Sequence, residues 1–361
     1  MKVKRLELED FRSFRGRHVI DFTDPATGAP LDRVLLVGSN GCGKTSVLEL
    51  FYETISAVPG ADEAGLPTMG VGSADLMLEL SATDVDSRMP GLEFPAGCHL
   101  EVRSGALRIP RGVAGTVLLR KGGTHAQGYS QPERAAATTL RRAASQMTQE
   151  TGPPTGGVLF LPHDRQMPSA MGGPVEPPPA VGHWAYRYSA GDEWRGSLEQ
   201  YWVWLNYLDL EGRDQGRPAE HLVPAIELFR AAMGPGREVV IREGRVLVST
   251  PWVGADGWPA WVRLDQLPSG EKQCALLLGH IARFGRRGGI LLIDELEISL
   301  HAALQRKLLG QLTAVTRQLD MQLIIATHSL ELAQSVGSNE VIDLDPLVPS
   351  AEPAEVAGVA E

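Results

Sequence analysis

Residues 38–45 read GSNGCGKT, a glycine-rich run whose residue types and spacing fit a phosphate-binding loop. Its glycines allow successive backbone N–H groups to turn toward one anion, and a following helix adds the attraction of its dipole. Lys44 can reach the β- and γ-phosphates of a nucleotide, and the Thr45 hydroxyl can bind Mg²⁺. The sequence therefore predicts a site for ATP and Mg²⁺, with the candidate ATP-binding residues Gly38, Ser39, Asn40, Gly41, Cys42, Gly43, Lys44, Thr45 and Ser46.

Two adjacent carboxylates, Asp294 and Glu295, follow the apolar run ILLI at 290–293. At the end of a buried strand, Asp294 can hold Mg²⁺ together with Thr45, and Glu295 can act as a general base toward the attacking water. Acidic residues are also common at a simple helix start. Because a phosphate-binding loop is present in the same chain, we favour the catalytic interpretation.

Two further segments carry groups that could face a phosphate. Ser269, Gly270 and Glu271 begin a predicted helix, whose first N–H groups would form an anion site. His328 follows the apolar run LIIA at 323–326. A histidine at this position is often structural, but beside the predicted site it can form a hydrogen bond with the γ-phosphate or the attacking water. We predict His328 as a second catalytic residue beside Glu295.

Short, wholly apolar runs are typical of strands buried on both faces of a parallel sheet. Such runs lie at 34–37, 158–161, 290–293 and 323–326. The sequence also predicts helices at 45–57, 271–284 and 299–319. Since these strands and helices alternate at both ends of the chain, we expect one α/β core built from distant segments.

The middle of the chain has a looser organisation. Residues 74–82, 98–109 and 113–120 predict strands of an antiparallel meander, and 133–148 a helix. Residues 167–182 hold five prolines and three glycines and predict an irregular loop. The aromatic-rich run that begins at His183 predicts packing within a lobe rather than base stacking.

These elements predict a single bilobed domain over residues 1–346. Its core comprises 1–58, 156–166 and 262–346. We expect an inserted β/helical lobe at 59–155 and a helical, aromatic lobe at 167–261. Residues 347–361 are acidic and predict a disordered tail.

Composition limits the remaining function classes. The chain has 361 residues and a net charge of −10. It contains no apolar run of about 18 residues, and its charged N-terminus is unlike a signal peptide. Its cysteines, Cys42, Cys98 and Cys274, are too widely spaced for a disulfide framework or a zinc site. We therefore expect a cytoplasmic protein without a membrane partner.

One basic segment departs from the acidic average. Residues 103–142 hold eight basic residues and one acid. This segment is either a solvated face or a contact surface, and a contact surface would bind DNA through its phosphates. The possible nucleic-acid contacts are Arg103, Arg120, Lys121, Arg141 and Arg142.

In chain order, the segments GSNGCGKT, LPSGEKQ, ILLIDELEISLH and IIATHS resemble the motif set of ABC-type ATPases. More narrowly, the opening LELEDFRSFRGRHVIDF is similar to the first strands of the branch that holds RecF, SMC-like and OLD-type proteins. The resemblance covers both ends of the chain and little of 60–150 or 168–260. It implies an α/β fold: an ABC-type P-loop ATPase head with a mostly parallel core sheet, an antiparallel β lobe and an inserted helical lobe.

The resemblance also implies how the helix start at 269–271 acts. In this family the signature serine caps the γ-phosphate held by a partner subunit, so Ser269, Gly270 and Glu271 would act in trans within a homodimer that encloses two ATP molecules. The segment GVLFLPHDRQM resembles the Q-loop region, with the candidates His163, Asp164 and Gln166. Leu296 departs from the proline that is usual after the paired carboxylates, and Pro268 precedes the signature serine.

The function implied by the resemblance is an ATP-driven dimerising switch in DNA repair or phage defence. Residues 60–260 are too short and too rich in proline and glycine for coiled-coil arms. We also expect no nuclease domain after His328, so a separate effector or nuclease subunit would act as partner. The alternatives are the ATP-binding subunit of a membrane transporter and an ATP-gated clamp with slow turnover.

Overall fold

The computed structural model describes residues 1–56, 73–79, 99–103, 107–108, 118–121, 156–168, 172–179, 184–189, 194–234, 236–253, 257 and 259–348. Its strands in chain order are β1 Lys2–Glu9, β2 Arg17–Asp21, β3 Arg33–Val37, β4 Ser73–Glu79, β5 His99–Arg103, β6 Leu107–Arg108, β7 Leu118–Lys121, β8 Val158–Leu161, β9 Ala185–Arg187, β10 Val239–Arg242, β11 Arg245–Val253, β12 Pro259–Arg263, β13 Ile290–Asp294, β14 Gln322–Ala326 and β15 Val341–Asp343. Its α-helices are α1 Lys44–Ser56, α2 Leu198–Asp214, α3 Leu222–Met233, α4 Ser269–Phe284, α5 Ala302–Gln318 and α6 Leu330–Gln334. None of these helices combines the length and the apolar character that a membrane crossing requires.

The core is a six-stranded sheet in the order β15-β3-β14-β13-β8-β9. Every neighbouring pair in it is parallel. Side chains alternate between the two faces of a strand, and here both faces are buried. On β13, Ile290 and Leu292 join one apolar cluster, whereas Leu291 and Ile293 join the other. This double burial explains the wholly apolar runs and confirms the predicted α/β class with a parallel core sheet.

Each face of the core sheet is covered by different elements. One face packs against α1 and a six-stranded antiparallel sheet in the order β2-β1-β4-β7-β6, with β5 also paired to β4. Phe14, Phe22 and Phe51 are fully buried there. The other face packs against α2, α3, α4 and α5, with Trp202 and Phe229 fully buried. The carboxyl ends of the parallel strands therefore lie between two packed layers.

A buried amide fixes the antiparallel sheet to the core sheet. Gln322 at the start of β14 is fully buried. Its Nε2 donates to the Val3 carbonyl at 3.0 Å and the Leu31 carbonyl at 2.8 Å, and its Oε1 accepts from the Val3 N–H at 2.6 Å. Because each of these groups would be costly to bury unpaired, the contact sets the position of β1 relative to the core.

The segment between 167 and 261 differs from the prediction. Ala185–Arg187, expected in the helical lobe, forms β9 and extends the core sheet beyond β8. A strand of three residues is too short to show a periodicity, so its partner and not its sequence defines it. The same segment also contributes the antiparallel sheet β10-β11-β12, which we did not predict. The helix of the aromatic run begins only at Leu198.

Two other predictions concern segments that lie wholly or mostly outside the described residues. The helix predicted at 133–148 and residues 349–361 of the predicted tail lie outside them. Leu347 and Val348, the first residues of that tail, are described and pack against the core as a 3₁₀ turn, Asp345–Leu347, ends. Apolar side chains at these two positions explain why the packed chain continues past residue 346.

Candidate functional site

The loop between β3 and α1 has the backbone that a phosphate cradle requires. Gly41 and Gly43 have φ values of 83° and 97°, a region that favours glycine. A Cβ at Gly43 would lie 2.6 Å from Phe14 Cε2 and from Ser13 Oγ, so the loop packs tightly on the turn after β1. Helix α1 begins at Lys44. Its free N–H groups and positive dipole end therefore face the loop.

Lys44 is held across this loop by neutral groups. Its Nζ donates to the carbonyls of Gly38 and Ser39, both at 2.9 Å, and lies 3.6 Å from Cys42 Sγ. The side chain is only 5 % exposed. Because these three partners carry no negative charge, the ammonium keeps its positive charge available for a phosphate group.

Asp294 joins the end of β13 to the start of α1. Its Oδ2 accepts from Thr45 Oγ1 at 2.9 Å and lies 3.1 Å from His163 Nδ1. The residue is 1 % exposed, and its Oδ1 has no hydrogen-bond partner among the residues that the structure describes. A buried carboxylate oxygen of this kind calls for a donor or a cation. The pair of Asp294 and Thr45 therefore fits a Mg²⁺ ion with its bound water.

Glu295 leaves the strand in a different direction from Asp294. Its φ of 50° is left-handed, which is uncommon for a residue other than glycine. Its N–H donates to the Ala326 carbonyl at 2.8 Å, which ties it to the end of β14. Such a turn aims consecutive carboxylates at different points, as expected if one binds metal and the other acts as a base.

The end of β14 is attached to the same turn by Glu297, which we did not single out from the sequence. Glu297 accepts from Thr327 Oγ1 at 2.7 Å and from the His328 N–H at 2.5 Å. The His328 side chain itself is exposed. Three adjacent parallel strands, β3, β14 and β13, thus end at the same side of the core sheet. Their carboxyl ends lead into the phosphate-binding loop, His328, and the pair Asp294 and Glu295.

The signature segment is placed elsewhere. Ser269 is exposed at the start of α4, and a Cβ at Gly270 would lie 2.9 Å from the Ser299 carbonyl. Glu271 forms an ion pair with Arg237 of its own chain. None of these described contacts involves the phosphate-binding loop of the same chain.

The three Q-loop candidates behave differently from one another. His163 contacts Asp294 and so lies at the predicted metal site. Asp164 is exposed. Gln166 takes part through its backbone, because its carbonyl accepts from the Tyr188 hydroxyl. Of the three, His163 is the one whose side chain contacts Asp294, so its role as the Q-loop residue stays a prediction.

Arg165, between these candidates, is a site residue that the sequence analysis missed. It is 2 % exposed. Its guanidinium donates to the carbonyls of Pro162 at 2.8 Å, Asp294 at 2.6 Å and Glu295 at 2.8 Å, and to Gln273 Oε1 at 2.9 Å. Burial lowers the pKa of Arg165 to about 10, so it remains a cation at neutral pH. The sequence feature that could have identified Arg165 is its position as a basic residue within the segment that resembles the Q-loop.

Asp345 is a second missed residue, and it reaches the phosphate-binding loop from the far end of the chain. Its Oδ1 accepts from both the hydroxyl and the N–H of Ser39, at 2.7 Å each. These hydrogen bonds from Ser39, with the nearby charge of Lys44, lower the pKa of Asp345. The sequence analysis did not single out this residue, which it placed near the end of the predicted core.

The possible nucleic-acid contacts are only partly placed. Arg103 lies on β5, and Arg120 and Lys121 lie on β7, in the antiparallel sheet. Arg141 and Arg142 fall outside the described residues. A shared basic face therefore stays a prediction.

Known proteins match parts of this site. A family model described as an AAA domain, with AbiEii toxin and Type IV TA system also in its description, matches residues 259–333. That range holds Ser269, Asp294, Glu295 and His328. The chromosome partition protein Smc of Halobacteriovorax marinus is 40 % identical over 52 residues, which are 14 % of this chain and 4 % of that protein. The match thus spans a small part of the length of this relative.

Solved SMC heads were found by structural comparison. The SMC head domain from Thermotoga maritima is 17 % identical with a TM-score of 0.41, and an SmcHead bound to the C-winged helix domain of ScpA is 11 % identical with a TM-score of 0.47. An Smc head from Pyrococcus furiosus, bound to the C-terminal domain of ScpA, is 12 % identical with a TM-score of 0.44. Each comparison covers 93 % of this chain and 92 % of the other.

The phosphate-binding loop, the paired carboxylates after β13, the AAA-domain match and the match to an Smc sequence agree with one another. Residues 259–333 are thus similar to an AAA domain, 52 residues of the chain are similar to part of an Smc protein, and the geometry of the site fits the binding of ATP.

Proposed function

We propose that the chain is an ATP-dependent dimerising switch in which two copies meet head to tail around two ATP molecules. The observation that carries this proposal is the position of the signature segment. Ser269 is exposed at a helix start, and the described contacts of Gly270 and Glu271 lie away from the phosphate-binding loop of their own chain. An exposed helix N-terminus is an anion site that a second subunit can fill.

Within one site, each group has a distinct task. Lys44 and the loop N–H groups bind the phosphates, and Thr45 and Asp294 hold Mg²⁺. The metal ion would neutralise developing charge on the phosphates. Glu295 accepts a proton from the attacking water, and His328 donates a hydrogen bond to the γ-phosphate or orients that water. Ser269 and the first N–H groups of the partner's α4 complete the site.

Such a dimer would work as a switch because the γ-phosphate joins the two subunits and hydrolysis releases them. The change between monomer and dimer would act on a nucleic acid or on a separate effector or nuclease subunit. The process would be DNA repair or phage defence. The basic residues between 103 and 142 support a phosphate-directed contact.

Mixing two inactive variants tests the arrangement in trans. Lys44→Ala removes the phosphate ligand, and Ser269→Arg blocks the signature, so each homodimer should hydrolyse ATP poorly. Their mixed dimer combines the intact loop of one chain with the intact signature of the other. For a symmetric dimer at equal concentrations we expect about a quarter of the wild-type rate to return.

The control is a mixture of Lys44→Ala with the double variant that carries both substitutions, which has no complete composite site and should stay inactive. Full activity of Ser269→Arg alone, or no recovery in the first mixture, would show that the signature does not act across subunits.

A further inference from the structure

The Arg165 guanidinium binds the backbone of both paired carboxylates at once. Nη1 donates to the Asp294 carbonyl at 2.6 Å, and Nη2 donates to the Glu295 carbonyl at 2.8 Å. Nη1 also donates to the Pro162 carbonyl at 2.8 Å, which closes a turn in the segment that carries Arg165 itself. A planar fork is suited to hold several acceptors in a fixed geometry.

These hydrogen bonds from Arg165 constrain the backbone conformation of Glu295. A left-handed φ of 50° persists in a residue other than glycine only where its surroundings impose it. The Glu295 N–H is held by the Ala326 carbonyl, and the Glu295 carbonyl is held by Arg165. Both backbone groups of the proposed base are therefore fixed, one of them by a side chain from another segment.

The same side chain reaches the signature helix. Arg165 Nε donates to Gln273 Oε1 at 2.9 Å, and Gln273 Nε2 donates back to the Arg165 carbonyl at 3.2 Å. Gln273 is 8 % exposed and lies one turn after Ser269 on α4. A reciprocal pair between buried groups transmits displacement, because separating it would leave a donor and an acceptor unpaired.

We propose that Arg165 is a positioning residue for ATP hydrolysis: it fixes Glu295 in its own site and, through Gln273, ties that site to the signature that its chain presents to the partner. The inference rests on the head-to-tail dimer proposed above. It adds that one arginine couples the hydrolytic state of a chain to the placement of its Ser269, so that the two sites of the dimer respond to each other.

The mixed dimer allows each arm to be tested separately. The Ser269→Arg chain supplies the working loop and the Lys44→Ala chain supplies the working signature. Arg165→Lys keeps the positive charge but loses the fork. In the chain with the working loop it should lower kcat on the order of 10- to 100-fold, with KM for ATP changed by less than about threefold. In the chain with the working signature, where Arg165→Lys also removes the Nε donor to Gln273, kcat should fall as well, but by a smaller factor than in the chain with the working loop.

Gln273→Met is the matched variant, since it leaves the donors to the Asp294 and Glu295 carbonyls in place. Its effect on kcat should be larger in the chain with the working signature than in the chain with the working loop. Thermal melts of each variant establish folding, and Gln273→Met still decides the coupling arm should Arg165→Lys not fold.

Equal effects in both placements, or a change in KM alone, would overturn the positioning role. An inactive parent mixture without these substitutions would instead contradict the head-to-tail dimer, so the two failures are distinguishable.

Discussion

Replacing Gly43 with alanine probes how tightly the phosphate-binding loop rests on the turn after β1. The new Cβ would lie 2.6 Å from Phe14 Cε2 and from Ser13 Oγ. Phe14 is fully buried, so its ring cannot move into solvent to make room without disturbing its neighbours. Gly41→Ala is the matched control, because Gly41 has a similar φ of 83° but no atom of the described part of the chain within 4 Å of its Cβ position.

The two substitutions differ by one physical contribution. A left-handed backbone at a residue other than glycine costs about 1–3 kcal/mol in either variant. Overpacking against Phe14 adds about 1–3 kcal/mol for Gly43→Ala. The free energy of unfolding should therefore fall by about 2–6 kcal/mol for Gly43→Ala and by about 1–3 kcal/mol for Gly41→Ala.

Urea unfolding without nucleotide measures this difference, since both positions would also affect ATP binding. We expect Gly43→Ala to be the less stable variant by at least about 1 kcal/mol. Equal destabilisation, or a larger loss for Gly41→Ala, would refute the packing of the loop on Phe14 and Ser13.

Three further predictions concern charge. Burial lowers the pKa of His280 from 6.5 to about 4. The folded state should therefore lose about 3 kcal/mol as the pH falls from 6.5 to 4, and pH-dependent urea unfolding of His280→Asn should lack this loss. Asp345→Asn removes a negative charge beside Lys44, so calorimetry should show ATP binding tighter by a factor of about two to five at low salt; weaker binding would contradict this. DNA binding by the ATP-bound dimer should fall steeply with salt and with Arg141 and Arg142 changed to glutamate. DNA affinity that neither change moves would indicate a solvated face.

The sequence predicts the strands of this fold that are buried on both faces of the core sheet. The runs at 34–37, 158–161, 290–293 and 323–326, which lie in β3, β8, β13 and β14, are wholly apolar because each contacts a packed layer on both sides. The loop at 38–45 is equally predictable, because its glycines and its lysine form the phosphate-binding site within one short segment. By contrast, β9 is defined by its pairing with β8, and no local pattern requires it.

Side chains whose importance comes from distant partners were not predicted. Arg165, Glu297 and Asp345 each act on a segment far away in the chain, and polar residues in loops are ordinarily solvated. Arg165 becomes significant only once the fold buries it against the Asp294 and Glu295 carbonyls. The sequence thus indicates the groups that do chemistry more readily than those that hold them in place.

Light scattering of Glu295→Gln with and without ATP and Mg²⁺ tests the proposed dimer most directly. This substitution removes the proposed base but leaves the phosphate and metal ligands, so ATP should bind and remain uncleaved. We expect the mass of a monomer without nucleotide and twice that mass with ATP and Mg²⁺. A monomer under both conditions, with ATP binding confirmed by calorimetry, would contradict the ATP-dependent dimer.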